Sequence, residues 1–404
     1  MVGTAGFSCV AGGVTAPAGF KAAGLNCGLK KSKKDLALLV SEVPCAAAGL
    51  FTTNRVKAAP VLVTQEKLAF GRAQAVVVNS GNANACTGPR GLEDARAMAG
   101  ITAGALGIPE ELVLVASTGV IGVPLPVEKL AAGIPRAAAL LDRAGHRDAA
   151  EAILTTDTCV KEAAVTFTLG GRRVTIGGMA KGSGMIHPDM ATMLAFLTTD
   201  AAIAPGVLRL ALHTAADASF HMISVDGDTS TNDMVLIMAN GLAGNERVAT
   251  LEAAAPFIAA LKEVCMALAR AIARDGEGAT RLIEVRVRGA PTMADARLAA
   301  RAVAASNLVK AAVFGRDANW GRIICAAGYS GARFDPDRCD IYLGSLPVAR
   351  AGNGLPFDED EARRILEQDP VVITLDLKSG TAEATAWGCD LTYDYVRINA
   401  SYRS

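Results

Sequence analysis

The 404-residue chain carries 40 Lys+Arg against 40 Asp+Glu, a formal net charge of zero, which leaves no basic excess for a general nucleic-acid or membrane-surface role. Apolar residues make up 51%, yet the most apolar long run, residues 255–273, is interrupted by Lys262, Glu263 and Arg270 and falls short of a membrane span. The amino-terminal residues lack a basic segment and an apolar stretch, so no signal peptide is expected. Nine cysteines, at 9, 27, 45, 86, 159, 265, 325, 339 and 389, are scattered and odd in number, without a Cys-x-x-Cys pair or a histidine cluster. They read as buried small hydrophobes of a reducing compartment, with no metal site and no disulfides. A soluble cytoplasmic protein is expected, built as two packed lobes or one elaborate domain.

In chain order, 35–40 and 46–51 read as strands, with the basic cluster Lys30–Lys34 before them as a solvated turn. A clear strand at 75–79 runs into the small-residue loop 80–88, and a helix at about 92–106 is closed by Gly107. That loop matches neither nucleotide-binding glycine pattern and reads as a wall of a substrate pocket. A short strand at 112–115 ends at Thr118-Gly119, helices follow at 126–141 and 147–154, and 165–169 with 173–176 form a hairpin through Gly170-Gly171. Further on come a helix at 205–218, a strand at 234–238, a helix at 251–273, a strand at 282–288 and a helix at 293–312. The tail offers a helix at 358–367, a hairpin over 371–388 and a last strand at 395–399. Strands interleaved with helices, without strict βαβ alternation, give an α+β fold of layered sheets, expected to be antiparallel.

The organising stretch is residues 177–194. Gly177, Gly178, Gly182, Gly184 and Pro188 forbid regular structure there, and an apolar strand then begins at Thr192. A hydroxyl residue at the head of a buried strand suits self-cleavage: Thr192 Oγ attacks the Ala191 carbonyl, water cleaves the ester, and Thr192 becomes a new amino terminus. Its α-amine, with a pKa of about 8, would serve as base for its own hydroxyl. An ordinary turn before a strand explains the same residues locally.

Asp226, Asp228, Ser230 and Asn232 alternate like a calcium loop, but Thr231 and Ile237 stand where Gly and Glu are needed. A hydrogen-bonded turn is the better reading. Ser183, His187 and Asp189 are not spaced to form a triad. Thr118 and Gly119 form either a plain turn or an oxyanion hole, with the Thr118 hydroxyl and the Gly119 N–H as donors. Lys181, the one lysine or arginine in residues 177–194, is either a solvated tip or a partner for a substrate α-carboxylate. Glu277, between Gly276 and Gly278, could take an amino group or a proton.

The run Lys181-Gly-Ser-Gly-Met-Ile-His-Pro-Asp-Met-Ala-Thr-Met-Leu194 resembles the processing site of the ornithine acetyltransferase (glutamate N-acetyltransferase, ArgJ) family of arginine biosynthesis. The likeness spans the chain, through Gly49-Leu-Phe-Thr-Thr-Asn54, Ser117-Thr-Gly-Val-Ile-Gly122, Val225-Asp-Gly-Asp-Thr-Ser-Thr-Asn-Asp233, Asp275-Gly-Glu-Gly-Ala-Thr280 and Asn319-Trp-Gly-Arg322. It implies catalytic Thr192, Thr118 and Gly119, and substrate contacts at Thr155, Lys181, Thr192, Glu277, Asn399 and Ser404. Family members commonly end in Thr where this chain has Ser404. The resemblance further implies cleavage between Ala191 and Thr192 into an α part (1–191) and a β part (192–404), reassembled as a heterotetramer. The implied reaction moves an acetyl group from N2-acetylornithine to glutamate through acetyl-Thr192, with acetyl-CoA a possible donor and no cofactor. The implied fold is similar to that of the DmpA-type self-processing aminopeptidases. A self-processed aminopeptidase or amidohydrolase is the competing enzymatic reading, and a small-molecule binding protein the non-enzymatic one.

Overall fold

A computed structural model describes residues 6–187 and 193–401; Ala191, Thr192 and Ser404 lie outside them. The chain opens with β1 (Ser8–Cys9), β2 (Phe20–Leu25), the long β3 (Leu36–Phe51), α1 (Ala59–Leu68), β4 (Arg72–Asn82), α2 (Gly88–Leu106) and β5 (Val113–Val120). Next come α3 (Val127–Ala139), α4 (His146–Ala152), β6 (Lys161–Leu169), β7 (Arg172–Lys181), β8 (Leu194–Thr199), α5 (Pro205–Ala216), β9 (Ile223–Ser224) and β10 (Met234–Ala239). The rest is α6 (Ala255–Arg274), β11 (Leu282–Ala290), α7 (Met293–Ala305), α8 (Asn307–Gly315), α9 (Trp320–Gly328), β12 (Asp340–Leu343), β13 (Leu346–Arg350) and β14 (Asn353–Gly354). It closes with α10 (Glu359–Leu366), β15 (Val371–Asp376), β16 (Ala382–Cys389) and α11 (Tyr393–Ser401).

Nine strands form one sheet in the order β1-β6-β7-β8-β10-β3-β4-β5, with β2 added on β3, and seven form another, β14-β13-β12-β15-β11-β16-β9. The fold is α+β with layered sheets, as expected, but the sheets are mixed: β8 runs parallel to β10, β4 to β5, β11 to β15 and β9 to β16. Strands β8 and β10 are apolar without alternation because both their faces are covered. Ala195, Leu197, Val235 and Ile237 pack with Leu208 and Leu212 of α5 and Leu261, Val264 and Leu268 of α6. On the other face Phe196, Met234, Leu236 and Met238 pack with Phe20, Leu39, Val76 and Val78. Each large side chain so buried contributes about 1.5–3 kcal/mol.

Several sequence expectations are corrected. Gly177 and Gly178 do not loosen the chain. Both lie inside β7, where a Cβ on Gly177 would strike the Gly13 carbonyl and one on Gly178 would come within 2.7 Å of Leu197. Strands 35–40 and 46–51 are one strand, irregular between Val40 and Cys45. Segments 371–376 and 382–389 do not pair as a hairpin. Strand β11 lies between them, and the connection crosses its end, with Leu377 N–H donating to Arg288 O (2.9 Å) and Ser379 N–H to Gly289 O (2.7 Å). The 293–312 helix breaks at Ser306, whose extended backbone ends α7 and whose hydroxyl caps α8 by accepting from Val309 N–H. Residues 395–399 are helical, not extended. Lys30 is no solvated tip: its ammonium donates to Ser80 Oγ and Leu154 O, both at 2.5 Å, and burial lowers its pKa to about 8. The cysteines are all free, but Cys9, Cys86, Cys159 and Cys325 are exposed. Among the described residues no single helix is long and apolar enough to cross a membrane.

Candidate active site

The carboxyl ends of β5 and β7, the loops before β10 and after α6, and helix α11 converge on one cleft. Among the described residues it is lined by Thr118, Gly119, Thr155, Lys181, Glu277 and Asn399, which the sequence had singled out, together with Asp226, Asp228 and Tyr395.

Thr118 and Gly119 end a strand rather than forming a turn. Ser117 and Thr118 pair with Asn79 and Ser80 of β4, and the register slips at Gly81–Asn82. Small polar residues hid this part of β5 from a reading based on apolar runs. Gly119 has φ +134°, and a Cβ there would meet Gly81 C and Asn82 N at 2.3 and 2.5 Å. Only glycine fits this bulged, positive-φ position.

Lys181 is the last residue of β7, paired with Leu194, the first of β8. Its side chain is buried, and burial lowers its pKa against the opposing pull of Asp157. Among the described residues its ammonium has no ion pair, which leaves its charge to the cleft. Behind it sits a group the sequence reading missed. The Lys161 ammonium, wholly buried, binds Asp157 Oδ1 (2.7 Å) and Asp275 Oδ2 (2.6 Å). Burial would raise the pKa of Asp157, but the Lys181 and Lys161 charges win and hold it well below the usual carboxylate range. Asp157 then accepts from Thr155 N–H (3.0 Å) and Gly182 N–H (2.7 Å), fixing two walls of the cleft at once. The only local hint was the Asp157/Lys161 spacing of four; Asp275 joins them by tertiary approach.

Glu277 is tied from both ends. Its N–H donates to Ser183 O (3.0 Å), and its Oε2 accepts from Asn399 Nδ2 (2.7 Å). A Cβ on Gly184 would strike its carboxylate, so the glycine there makes room for Glu277. Asn399 reaches it because α11 is a helix: Tyr395 and Asn399, four apart, share the face toward the cleft. Val396 and Ile398 alternate like a strand, which misled the sequence reading. Tyr395 Oη approaches Asp226 Oδ2 (3.3 Å). Asp226 accepts from Met185 N–H (2.6 Å) and Ile186 N–H (2.8 Å), so its short bonds reach a loop some forty residues away, and only the longer one from Asp228 N–H (3.4 Å) belongs to the local turn expected of it.

Ser183 donates to Asp275 O (2.6 Å), and His187 Nδ1 lies 3.4 Å from Ser224 Oγ, so these two do not form a dyad. Ala191, Thr192, Asp189 and Ser404 lie outside the described residues. Met193, bonded to Thr192, is buried beside Lys181 at the start of β8, and its N–H donates to Asp233 Oδ1 (3.0 Å). The arrangement can hold a carboxylate at Lys181, an amino group at Glu277 and a developing oxyanion at Thr118-Gly119, all lining one cleft, with β8 beginning beside Lys181.

A family model described as the ArgJ family matches residues 21–404. The arginine biosynthesis bifunctional protein ArgJ of Symbiobacterium thermophilum is 63% identical over 399 residues, covering 98% of this chain and 99% of that protein. Its namesake in Caldanaerobacter subterraneus subsp. tengcongensis is 54% identical over 399 residues, 97% of this chain and 99% of that protein. The crystal structure of the arginine biosynthesis bifunctional protein ArgJ from Bacillus halodurans is 51% identical, covering 51% of this chain and 97% of that one, at a TM-score of 0.49. With a family match over nearly its whole length and relatives above half identity, this chain belongs to the ArgJ family.

Proposed function

We propose that the chain is an acetyltransferase of arginine biosynthesis that cuts itself between Ala191 and Thr192 and uses Thr192 as nucleophile. The observation that carries this reading is the convergence of Lys181, Glu277 and the Thr118-Gly119 donors on one cleft at the head of the strand that follows Thr192. In the proposed reaction Lys181 takes the α-carboxylate of N2-acetylornithine. The Thr192 hydroxyl attacks the acetyl carbonyl and the Thr192 α-amine accepts its proton. Thr118 Oγ–H and Gly119 N–H stabilise the oxyanion, and the adduct collapses with expulsion of ornithine, whose amine takes that proton. Glutamate then enters, its neutral α-amine attacks the acetyl-threonine ester, and the Thr192 α-amine takes a proton from the attacking nitrogen and returns it to Thr192 Oγ, which leaves as the hydroxyl. One carboxylate site thus serves both half-reactions.

Thr155, Asn399 and Ser404 complete the proposed substrate contacts, with acetyl-CoA as a second acetyl donor and no cofactor. The fragments 1–191 and 192–404 are proposed to stay together as a heterotetramer in the cytoplasm. Intact mass and amino-terminal sequencing test the cut: the second fragment should begin Thr-Met-Leu-Ala-Phe, and a single uncut chain with full activity would refute it. Incubation with acetylornithine, with and without glutamate, tests the transfer. Release of acetate that needs no glutamate would make the protein an amidohydrolase instead.

A further inference from the structure

Strands β8 and β5, which lead from the nucleophile position and to the oxyanion donors, are not neighbours. Strands β10, β3 and β4 lie between them in the sheet, so no shared ladder fixes one against the other. The loop before β10 bridges that gap with two consecutive buried side chains.

The Asn232 amide Nδ2 donates to Ala83 O (2.7 Å) and Ser117 O (2.8 Å), while its Oδ1 accepts from Thr231 Oγ (2.6 Å). The Ser117 carbonyl belongs to the peptide unit that carries the Thr118 N–H, so Asn232 sets the tilt of the strand end that presents the donors. Asp233 works in the other direction. Its Oδ1 accepts from Met193 N–H (3.0 Å), and the next residue, Met234, donates its N–H to Met193 O (3.2 Å). Its own carbonyl accepts from Thr52 N–H (3.0 Å), which anchors the loop on β3's exit. The second carboxyl oxygen of Asp233 is buried without a partner among the described residues. An ionised carboxylate is costly there, and burial accordingly holds this carboxyl well above the usual range.

We propose that Asn232 and Asp233 form a positioning clamp that sets the distance between the nucleophile and its oxyanion donors through one peptide unit. One side chain grips the peptide before Thr118 and the next grips the amide after Thr192. This rests on the reading of Thr192 as nucleophile and Thr118 as donor. Oxyanion donors act over a few tenths of an ångström, and a displacement of about 1 Å can cost on the order of a hundredfold in rate. Asn232 lies at the wall of the cleft, but its amide is engaged by Ala83, Ser117 and Thr231 and not turned to a ligand, so loss of the clamp should appear chiefly in the rate constants.

Two near-isosteric changes test it in the full-length chain, each altering hydrogen-bond chemistry and not shape. Asn232→Asp turns two donors into acceptors facing two carbonyls; self-cleavage and the transfer kcat should fall by about ten- to hundredfold while KM stays within about threefold. Asp233→Ala should do the same, and Asp233→Asn, which keeps an acceptor for Met193 N–H, should recover most of that loss. In a Thr118→Ala background Asn232→Asp should cost clearly less than it does in the unaltered chain, because one of the two donors it positions is gone. Equal loss in Asn232→Asp and Asp233→Asn, loss in neither, a rise confined to KM, or multiplicative loss with Thr118→Ala would overturn the clamp. Thr192→Ala is measured alongside. If that variant still cuts and transfers, the nucleophile reading itself has failed, whatever the clamp variants do.

Discussion

Lys181 is a buried cation whose leading counter-charge, Asp157, is already engaged by Lys161, and that shapes its behaviour. Lys181→Ala should raise KM for acetylornithine and for glutamate together, since both offer an α-carboxylate; initial-rate kinetics with each substrate varied in turn check this, and a rise for one alone contradicts a shared site. Burial lowers the pKa of Lys181 below that of an ordinary lysine. The carboxylate-binding form is the protonated one, so KM should climb as pH rises through a value below 10.5, and a KM–pH profile reads it directly. Lys161 differs: it is paired on both sides, and Lys161→Met would leave Asp157 and Asp275 buried without their cation. The expected cost is about 3–5 kcal/mol, visible as a lower denaturant midpoint. The cleft residues Lys181 and Glu277 stood out in the sequence because they sit in unusual local settings, a lysine among glycines or a glutamate between two, whereas Thr155 and Asn399 were marked only by the family resemblance. Lys161, Asp275, Asn232 and Asp233 did not, because the bonds that give them their place reach partners 40 to 149 residues away.

At the scale of elements, β7 shows what its glycines are for. Its last turns of chain pass under Gly13 on one side and against Leu197 and Leu268 on the other, and a methyl group at 177 has nowhere to go. Gly177→Ala should cost about 1–3 kcal/mol by overpacking, read from urea unfolding, whereas the same change at Gly170, in the open hairpin turn, meets no neighbouring atom and pays only for its φ of +56°. Strand-versus-helix assignments held where period and length agreed, as for β4, α5 and α10. They failed where a site bent the pattern. Helix α11 turns Tyr395 and Asn399 to one face at the expense of a clean apolar stripe, and β5 continues into Ser117-Thr118-Gly119 on backbone pairing alone. The β15–β16 connection looks like a hairpin loop because nothing within it records that β11, about ninety residues earlier, takes the place between them.

For the whole molecule, the order of the large sheet carries a consequence for its history. Strands β8 and β10 follow residue 191, yet they lie between β7 and β3, which precede it. They fit like a tenon in a slot, hydrogen-bonded along both sides. A cut at the proposed position would sever the chain without parting the pieces, and the slot is expected to be filled in the right register while the two segments are still one chain. Separately produced 1–191 and 192–404, mixed after folding, should therefore give little activity, as judged by acetyl transfer. Cut protein unfolded in urea and diluted back should recover far less than the uncut Thr192→Ala variant recovers of its native circular dichroism. A chain cut there would be a one-way product, its parts held by a joint made before they were divided.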